Sequence, residues 1–274
     1  MILKNFKINA FNSGKLVGNP ACVVPLENWL SDDILLKIAK KNNVSETAFF
    51  IKKKSKFHLR WFTPDIEMDL CGHATLATAH CIYKHLNFNS KKIFFDSNSG
   101  ELSVNIINDL YQLDFPKRNP VESELPEEIY NSLNIKPDKV LKSRDYVLVY
   151  NNIKDVINIK INREIFDKIN IDPGGVILTS LGNDCDFISR YFTPQSTYFE
   201  DPVTGSSHCS LIPYWSSVLK KDEMIAKQLS KEGGQLICKN LKDRVLILGN
   251  AKTYSIEDRK STRLNSSHRC ISYA

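Results

Sequence analysis

Residues 70–80 read LCGHATLATAH, and the fold turns on this stretch. After Gly72 come Ala74, Leu76, Ala77, Ala79, Cys81 and Ile82, spaced so that a helix over them has no polar face in its first two turns. A helix that is apolar all round must be enclosed by other elements. The same pattern follows Gly205, in Cys209, Leu211, Ile212, Trp215, Val218 and Leu219. Pro213 lies inside that second pattern and should kink the helix or shift its start.

The two helices belong to a longer internal repeat. Arg60-Trp61-Phe62-Thr63-Pro64 returns 130 residues later as Arg190-Tyr191-Phe192-Thr193-Pro194. Gly72 and Gly205 are 133 apart, and the turns Ser99-Gly100-Glu101-Leu102 and Gly233-Gly234-Gln235-Leu236 are 134 apart. Three landmarks in one order at nearly one offset predict two similar lobes, 1–118 and 119–258, with the segment Asn119 to Pro126 as crossover.

Each lobe reads as strands around a helix. ACVVPL (21–26), TAFFIKK (47–53) and FHLRWFT (57–63) are short β-rich runs. SDDILLKIAKKNN (31–43) is an amphipathic helix with Ser31 as N-cap. ELSVNIINDLYQLDFP (101–116) alternates around Asn108-Asp109 and predicts a hairpin. YVLVYN, GVILTS, FISRYFT and RVLILGN take the strand parts in the second lobe. The expected fold class is α/β, an α+β roll of two pseudo-symmetric lobes, each a curved, mostly antiparallel sheet wrapped around one central helix.

Composition narrows the function. The formal charge of +6 comes from 37 basic and 31 acidic residues. The last sixteen residues, RKSTRLNSSHRCISYA, hold four of the basic ones and no acid, so the body is nearly neutral. That gives no support to nucleic-acid or membrane binding. No run of about 18 apolar residues occurs. The opening MILKNFKINAFN lacks the apolar core of an export signal, so the cytoplasm is the expected compartment. The segment 259–274 lacks any strand or helix period and is set aside as a non-native or disordered tail.

Seven cysteines, at 22, 71, 81, 185, 209, 238 and 270, are scattered and form no C-x-x-C pair. Cys71, His73, His80 and Cys81 cluster, but no second close pair completes a four-ligand zinc site, so no metal is expected. No glycine-rich phosphate motif of the dinucleotide or Walker type occurs, so no nucleotide or flavin cofactor is expected.

The candidate chemistry lies at the helix starts. A helix N-terminus offers unpaired N–H donors and the positive end of its dipole, a natural anion site. If the lobes face each other, the two starts can converge on one cleft suited to a carboxylate. Glu46, in VSETAFF before a strand and flanked by apolar residues, could carry a raised pKa and act as general acid/base. Glu200-Asp201, before PVTGSS, is the second lobe's offering. His73 at the first helix start should be a neutral imidazole, because the dipole disfavours its charged form.

GNPACVV (18–24), SETAFF (45–50), FTPDIEMDLCGHATLATAH (62–80) and FEDPVTGSSH (199–208) together resemble the signature blocks of the PhzF-like family, named for an isomerase of phenazine biosynthesis. The resemblance spans nearly all of the chain before the tail. It implies the diaminopimelate-epimerase-like fold, cofactor-independent proton transfer on a small carboxylate-bearing molecule, and a homodimer. Carried over residue by residue, the family's acid/base glutamate matches Glu46, with His73 and Asp201 as its catalytic companions. Gly72, Gly205, Ser206 and Asn19 make up the substrate-binding set.

Plainer structural readings stand beside these. Asp201 suits an Asp-Pro turn, Ser206 an N-cap, and Cys71 a buried inert thiol. Epimerases of this fold pair two cysteines, and the stretch Val203-Thr204-Gly205 that matches Cys71 has no thiol. This favours an isomerase over an epimerase or racemase. A non-catalytic interaction protein that retains the fold is the remaining alternative.

Overall fold

The computed structural model describes residues 2–260 and 270–272, and the chain divides into two compact units. One comprises Met1–Asp114 with Leu248–Ala274, the other Phe115–Ile247.

The first unit carries β1 (Ile2–Asn12), β2 (Asn19–Leu26), α1 (Asp32–Asn42), β3 (Glu46–Lys53), β4 (Lys56–Phe62), β5 (Glu67–Met68), α2 (Gly72–His85), β6 (Lys92–Ser97), β7 (Gly100–Ile107) and β8 (Leu110–Pro116, its last two residues in the second unit). The second carries β9 (Val121–Glu122), α3 (Glu127–Ser132), β10 (Lys139–Lys142), β11 (Tyr146–Val149), α4 (Ile153–Asn158), α5 (Arg163–Phe166), β12 (Val176–Leu181), β13 (Phe187–Phe192), α6 (His208–Leu219), β14 (Glu223–Gln228) and β15 (Gly234–Asn240). β16 (Arg244–Lys260) and β17 (Cys270–Ser272) end the described chain.

The repeat read from sequence reappears in the strand pairing. In the first unit β2 runs parallel to β3, β3 antiparallel to β4, β4 parallel to β6 and β6 antiparallel to β7. In the second unit β11, β12, β13, β14 and β15 repeat that alternation step for step. A parallel pair needs a crossover rather than a tight turn. The chain places α2 between β4 and β6, and α6 between β13 and β14. The two apolar helices are thus crossover connections. Every residue of α2 from Gly72 to Ile82 is buried, and the helix packs on β1, β2 and β3.

The expected hairpin forms at Asn108-Asp109, both in the left-handed region (φ 48° and 65°), as a two-residue turn requires. Ser31 stands at the N-cap of α1, but its side chain makes no capping bond. In the second unit β11 is buried throughout and β12 up to Ser180, because the sheet has helices on both sides. Ile129 of α3, Val156 of α4 and Phe166 of α5 share a core with Leu148 and Leu178. Trp215 of α6 stacks on Phe187, with ring centroids 5.7 Å apart. Such strands read as continuous apolar runs rather than alternating ones.

Two expectations change here. The lobe expected at 119–258 gives up its last residues, since β16 pairs with β1 from Asn250 to Lys260 and Leu248 onward belongs to the first unit. Of the expected tail at 259–274, residues 261–269 and 273–274 lie outside the described residues. Arg259 and Lys260 extend β16, and Cys270–Ser272 pair with Ser255–Glu257, so strand structure reaches into the segment.

The second helix starts later than expected, at His208 rather than Gly205. Gly205–Ser207 form a turn whose carbonyls accept from the N–H groups three residues on, at 3.0–3.1 Å. Pro213 has no N–H for the Cys209 carbonyl, and the Arg118 N–H takes that place at 2.9 Å.

Candidate active site

In the first unit, the start of β3 and the start of α2 bring together Glu46, Cys71 and His73. His73 is buried, and each of its ring nitrogens has partners. Nε2 lies 3.2 Å from Glu46 Oε2. Nδ1 lies 3.1 Å from the Asn19 amide nitrogen and 3.6 Å from Cys71 Sγ. Asn19 is itself fixed, since the Ser45 hydroxyl donates to its carbonyl oxygen at 2.7 Å. Asn19, expected among the substrate-binding residues, is fully buried and directs its amide to His73 and Ser45. Ser45, which the sequence reading missed, is the next link in the same chain of contacts.

Glu46 is 12% exposed at its side chain. Its Oε2 is buried and in ion-pair range of His73, yet no donor meets hydrogen-bond geometry with it. A buried acceptor left without a hydrogen bond is costly unless something else uses it.

Because the Asn19 carbonyl oxygen accepts from Ser45, its amide nitrogen donates to His73 Nδ1, which acts as an acceptor. Burial by itself lowers the His73 pKa, but Cys71 and the Glu46 carboxylate oppose that, and the balance lies well above the ordinary value. Burial, with Glu46 adding to it and His73 opposing, pushes the Cys71 thiol up to about 11. Cys71 therefore stays a neutral thiol near pH 7. One ligand-type atom from each of Glu46, Cys71 and His73 lies within 4.8 Å of the others. Glu46 and Cys71 approach different ring nitrogens of His73.

In the second unit, Asp201 and Ser206 flank the turn that leads into α6. Asp201 accepts from the Thr204 hydroxyl at 2.5 Å. Gln228 holds the loop closed: its amide donates to the Asp201 carbonyl at 2.7 Å, and its oxygen accepts from the Thr204 N–H at 2.8 Å. Ser206 Oγ accepts from Arg144 Nη2 at 3.0 Å, and Arg144 contacts the buried Asp145 at 3.2 Å. The N-cap residue is Ser207, not Ser206, and its hydroxyl donates to the Thr204 carbonyl at 2.7 Å. Glu200, offered alongside Asp201, is fully engaged by Arg190, whose Nε and Nη2 bond its two oxygens at 2.7 and 2.9 Å. Arg60 and Glu67 make the matching pair in the first unit at 2.7 and 2.6 Å. These are structural pins on the repeated Arg-aromatic-Phe-Thr-Pro motif.

Sequence reasoning also missed His208. It is fully buried, and its Nδ1 lies 2.9 Å from the Thr204 carbonyl, which makes Nδ1 the donor. Burial lowers its pKa to about 4 against the opposing effect of that bond, so the ring is neutral. Its Nε2 has no hydrogen-bond partner among the described residues. Gln228, Arg144 and Asp145 carried no motif signal either. Each lies far along the chain from the turn it serves.

The repeat shows where the two units diverge. Arg60 pairs with Phe49 across β4 and β3, and Arg190 with Leu178 across β13 and β12. Three residues before each partner stand Glu46 and Gly175. By the 133-residue offset, Cys71 and His73 correspond to Thr204 and Ser206. The acid, thiol and imidazole of the first unit are therefore glycine, hydroxyl and hydroxyl in the second.

Comparison with known proteins identifies the family. A family model described as phenazine biosynthesis-like protein (PhzC-PhzF) matches residues 8–255. A Pseudomonas aeruginosa protein named as an uncharacterized isomerase is 41% identical over 252 residues, covering 92% of this chain and 96% of the relative. The crystal structure of a PhzF-family protein from Enterococcus faecalis superposes with a TM-score of 0.86 at 38% identity, covering 95% of this chain and all of that one. A hydroxyproline epimerase from Agrobacterium vitis, 8% identical, shares the fold at a TM-score of 0.62 over 94% of this chain and 92% of its own. The expected epimerase-like fold class therefore stands. The chain belongs to the phenazine biosynthesis-like (PhzC-PhzF) family.

Proposed function

We propose that this member of the phenazine biosynthesis-like family is an isomerase that moves a proton on a small carboxylate-bearing metabolite, without a cofactor, with Glu46 as general acid/base. The observation that carries this reading is Glu46 Oε2, buried, 3.2 Å from His73 Nε2 and without a hydrogen-bond partner among the described residues. A carboxylate so placed takes a proton from a carbon next to an electron-withdrawing group. The electron pair left behind delocalises into that group, and the same carboxyl then returns the proton to a second carbon. His73, whose pKa is raised, lies beside the carboxylate and relays or stabilises the transferred proton. In the second unit, the family resemblance gives Asp201 and Ser206 the role of orienting the substrate's polar groups, with Ser206 and the backbone at Gly205 for its carboxylate.

An epimerase using two bases fits less well. Inverting one carbon takes a base on each face, and the second unit offers glycine and threonine where the first has Glu46 and Cys71. The names of relatives agree with an isomerase-type activity. No helix among the described residues is long and apolar enough to cross a membrane. The reading also carries a cytoplasmic homodimer with no nucleic-acid partner; analytical ultracentrifugation tests the assembly.

The deciding experiment is a screen of small amino, hydroxy and unsaturated carboxylic acids in D₂O, followed by proton NMR. Enzyme-dependent loss of a carbon-bound proton signal, with migration of a double bond or carbonyl, supports the isomerase. Exchange at a single stereocentre with inversion favours the epimerase, and a protein inert to every acid favours a binding role.

A further inference from the structure

We propose that Asn19 is a positioning residue: its amide nitrogen fixes the tautomer of His73, so that Nε2 keeps its proton beside Glu46 and His73 works as an N–H donor rather than as a second base. The inference rests on the reading of Glu46 as general acid/base and specifies how its partner is set.

An imidazole nitrogen donates when protonated and accepts when bare, and a neutral ring has one of each. The surroundings of the buried His73 ring divide by kind. On the Nε2 side stands the Glu46 carboxylate, an acceptor, at 3.2 Å. Ser45 Oγ lies 3.5 Å from the same nitrogen, and its proton goes to the Asn19 carbonyl oxygen at 2.7 Å, so it turns a lone pair to Nε2. On the Nδ1 side stand the Asn19 amide nitrogen at 3.1 Å and Cys71 Sγ at 3.6 Å. The amide nitrogen can only donate, and the buried thiol keeps its S–H. Acceptors thus face Nε2 and donors face Nδ1. Among the described residues, Glu46 and Cys71 are the titratable groups set against the ring.

The reverse arrangement fails at Glu46. With the Asn19 amide turned over, its oxygen could accept from Nδ1–H and its nitrogen could donate to Ser45. Nε2 would then be bare, its lone pair 3.2 Å from a carboxylate oxygen that no donor meets among the described residues. Two acceptors facing each other in a buried site are unfavourable. The carboxylate therefore decides which way the Asn19 amide points, and Ser45, its neighbour in sequence, holds the amide there.

This arrangement separates the roles of the two side chains. A bare Nε2 would compete with Glu46 for the substrate's proton, and a protonated one cannot. The carboxylate draws a second proton to the ring, but only Nδ1 is open to it, at the cost of the Asn19 bond. Nε2 keeps its proton in either charge state. The proton that Glu46 takes from carbon therefore stays on that carboxyl until it returns. Of relay and stabilisation, the second is left to His73.

Nitrogen-15 NMR of the substrate-free protein reads the tautomer, with labelled histidine and the His73 signals identified by their loss in His73→Gln. From about pH 6 to about pH 9, Nε2 should stay protonated, and the proton lost on titration should leave Nδ1. Asn19→Leu removes the donor and keeps the bulk. The ring's pKa should then rise by about half a unit or more, because the neutral form loses its partner. An asparagine that accepted from Nδ1–H would lower the pKa on removal, and a purely structural one would leave it in place. A bare Nε2, an Nδ1 proton retained beyond about pH 9, or an unchanged or lowered pKa in Asn19→Leu overturns the proposal. The wild-type spectrum decides even if Asn19→Leu does not fold. No substrate enters these measurements, so the isomerase reading is judged separately, by the loss of deuterium exchange in Glu46→Gln.

Discussion

Glu46 Oε2 and His73 Nε2 approach to 3.2 Å without forming a hydrogen bond, so a buried carboxylate and a buried imidazole face each other with an acceptor unused. Substituting Glu46→Gln keeps the shape and removes the base. Exchange of substrate carbon-bound protons with D₂O should fall by about 10²-fold or more. The variant should also lose the part of the His73 pKa elevation that the carboxylate supplies, a loss read in its pH-dependent stability. Unchanged exchange in this variant would sink the catalytic role of Glu46.

The raised pKa of His73 has a definite sign in stability. The native state holds its proton more tightly than the unfolded chain, whose value is near 6.5. This contribution is fully present below about pH 6.5 and is lost as pH rises through the higher native value. Urea unfolding of the wild type and His73→Gln between pH 6 and 9 should therefore show the wild-type advantage shrinking with pH. A gap that widens toward pH 9 contradicts the assignment.

His208 works in the opposite direction. Its native pKa is lowered to about 4 by burial, against an ordinary 6.5. As pH falls from 6.5 toward 4 the unfolded chain binds a proton that the native state refuses, and stability drops by up to roughly 3 kcal/mol. His80, also lowered to about 4 chiefly by burial, adds to the same slope. His208→Asn, which keeps a donor for the Thr204 carbonyl, should flatten the acid limb of a stability–pH curve. An unaltered slope argues that His208 already titrates normally in the folded protein.

Gly175→Ala places a methyl group 2.4 Å from Tyr191 Cζ and 2.5 Å from its hydroxyl oxygen. The Tyr191–Asp145 bond must then open or the sheet must shift, at a cost of about 1–3 kcal/mol. Denaturant melts of the variant measure this, and a neutral result means that the tyrosine ring moves freely.

Much of the fold was legible because burial leaves a periodic trace. The all-apolar helix after Gly72, the hairpin at Asn108-Asp109 and the repeated Arg-aromatic-Phe-Thr-Pro motif are patterns of local spacing, and each has its counterpart in the structure. The start of α6 was misplaced because Gly205 resembles Gly72 in sequence, while the second unit inserts a three-residue turn before its helix begins. The return of β16 to β1 was missed because strand pairing between distant segments leaves no spacing to count.

The candidate site divides in the same way. Glu46, His73, Asp201 and Ser206 could be named in advance, since they lie in motif blocks beside helix and strand starts. Asn19 could be named in advance too, but only its hydrogen bonds show it holding His73. Arg144, Asp145 and Gln228 stood out in no motif, and Tyr191 and His208 lay inside quoted motifs without an assigned role.

The sequence by itself determined the two-fold repeat, the enclosed helices, the family and the residue types available for proton transfer, because all of these are written in neighbouring residues. Only the tertiary structure decided which donor meets which acceptor. The Glu46–His73 contact, the Ser45–Asn19–His73 contacts and the Asp145–Arg144–Ser206 chain join side chains from separate segments. Their energies depend on distances of a few ångströms and on exclusion of water, which packing sets and linear order does not.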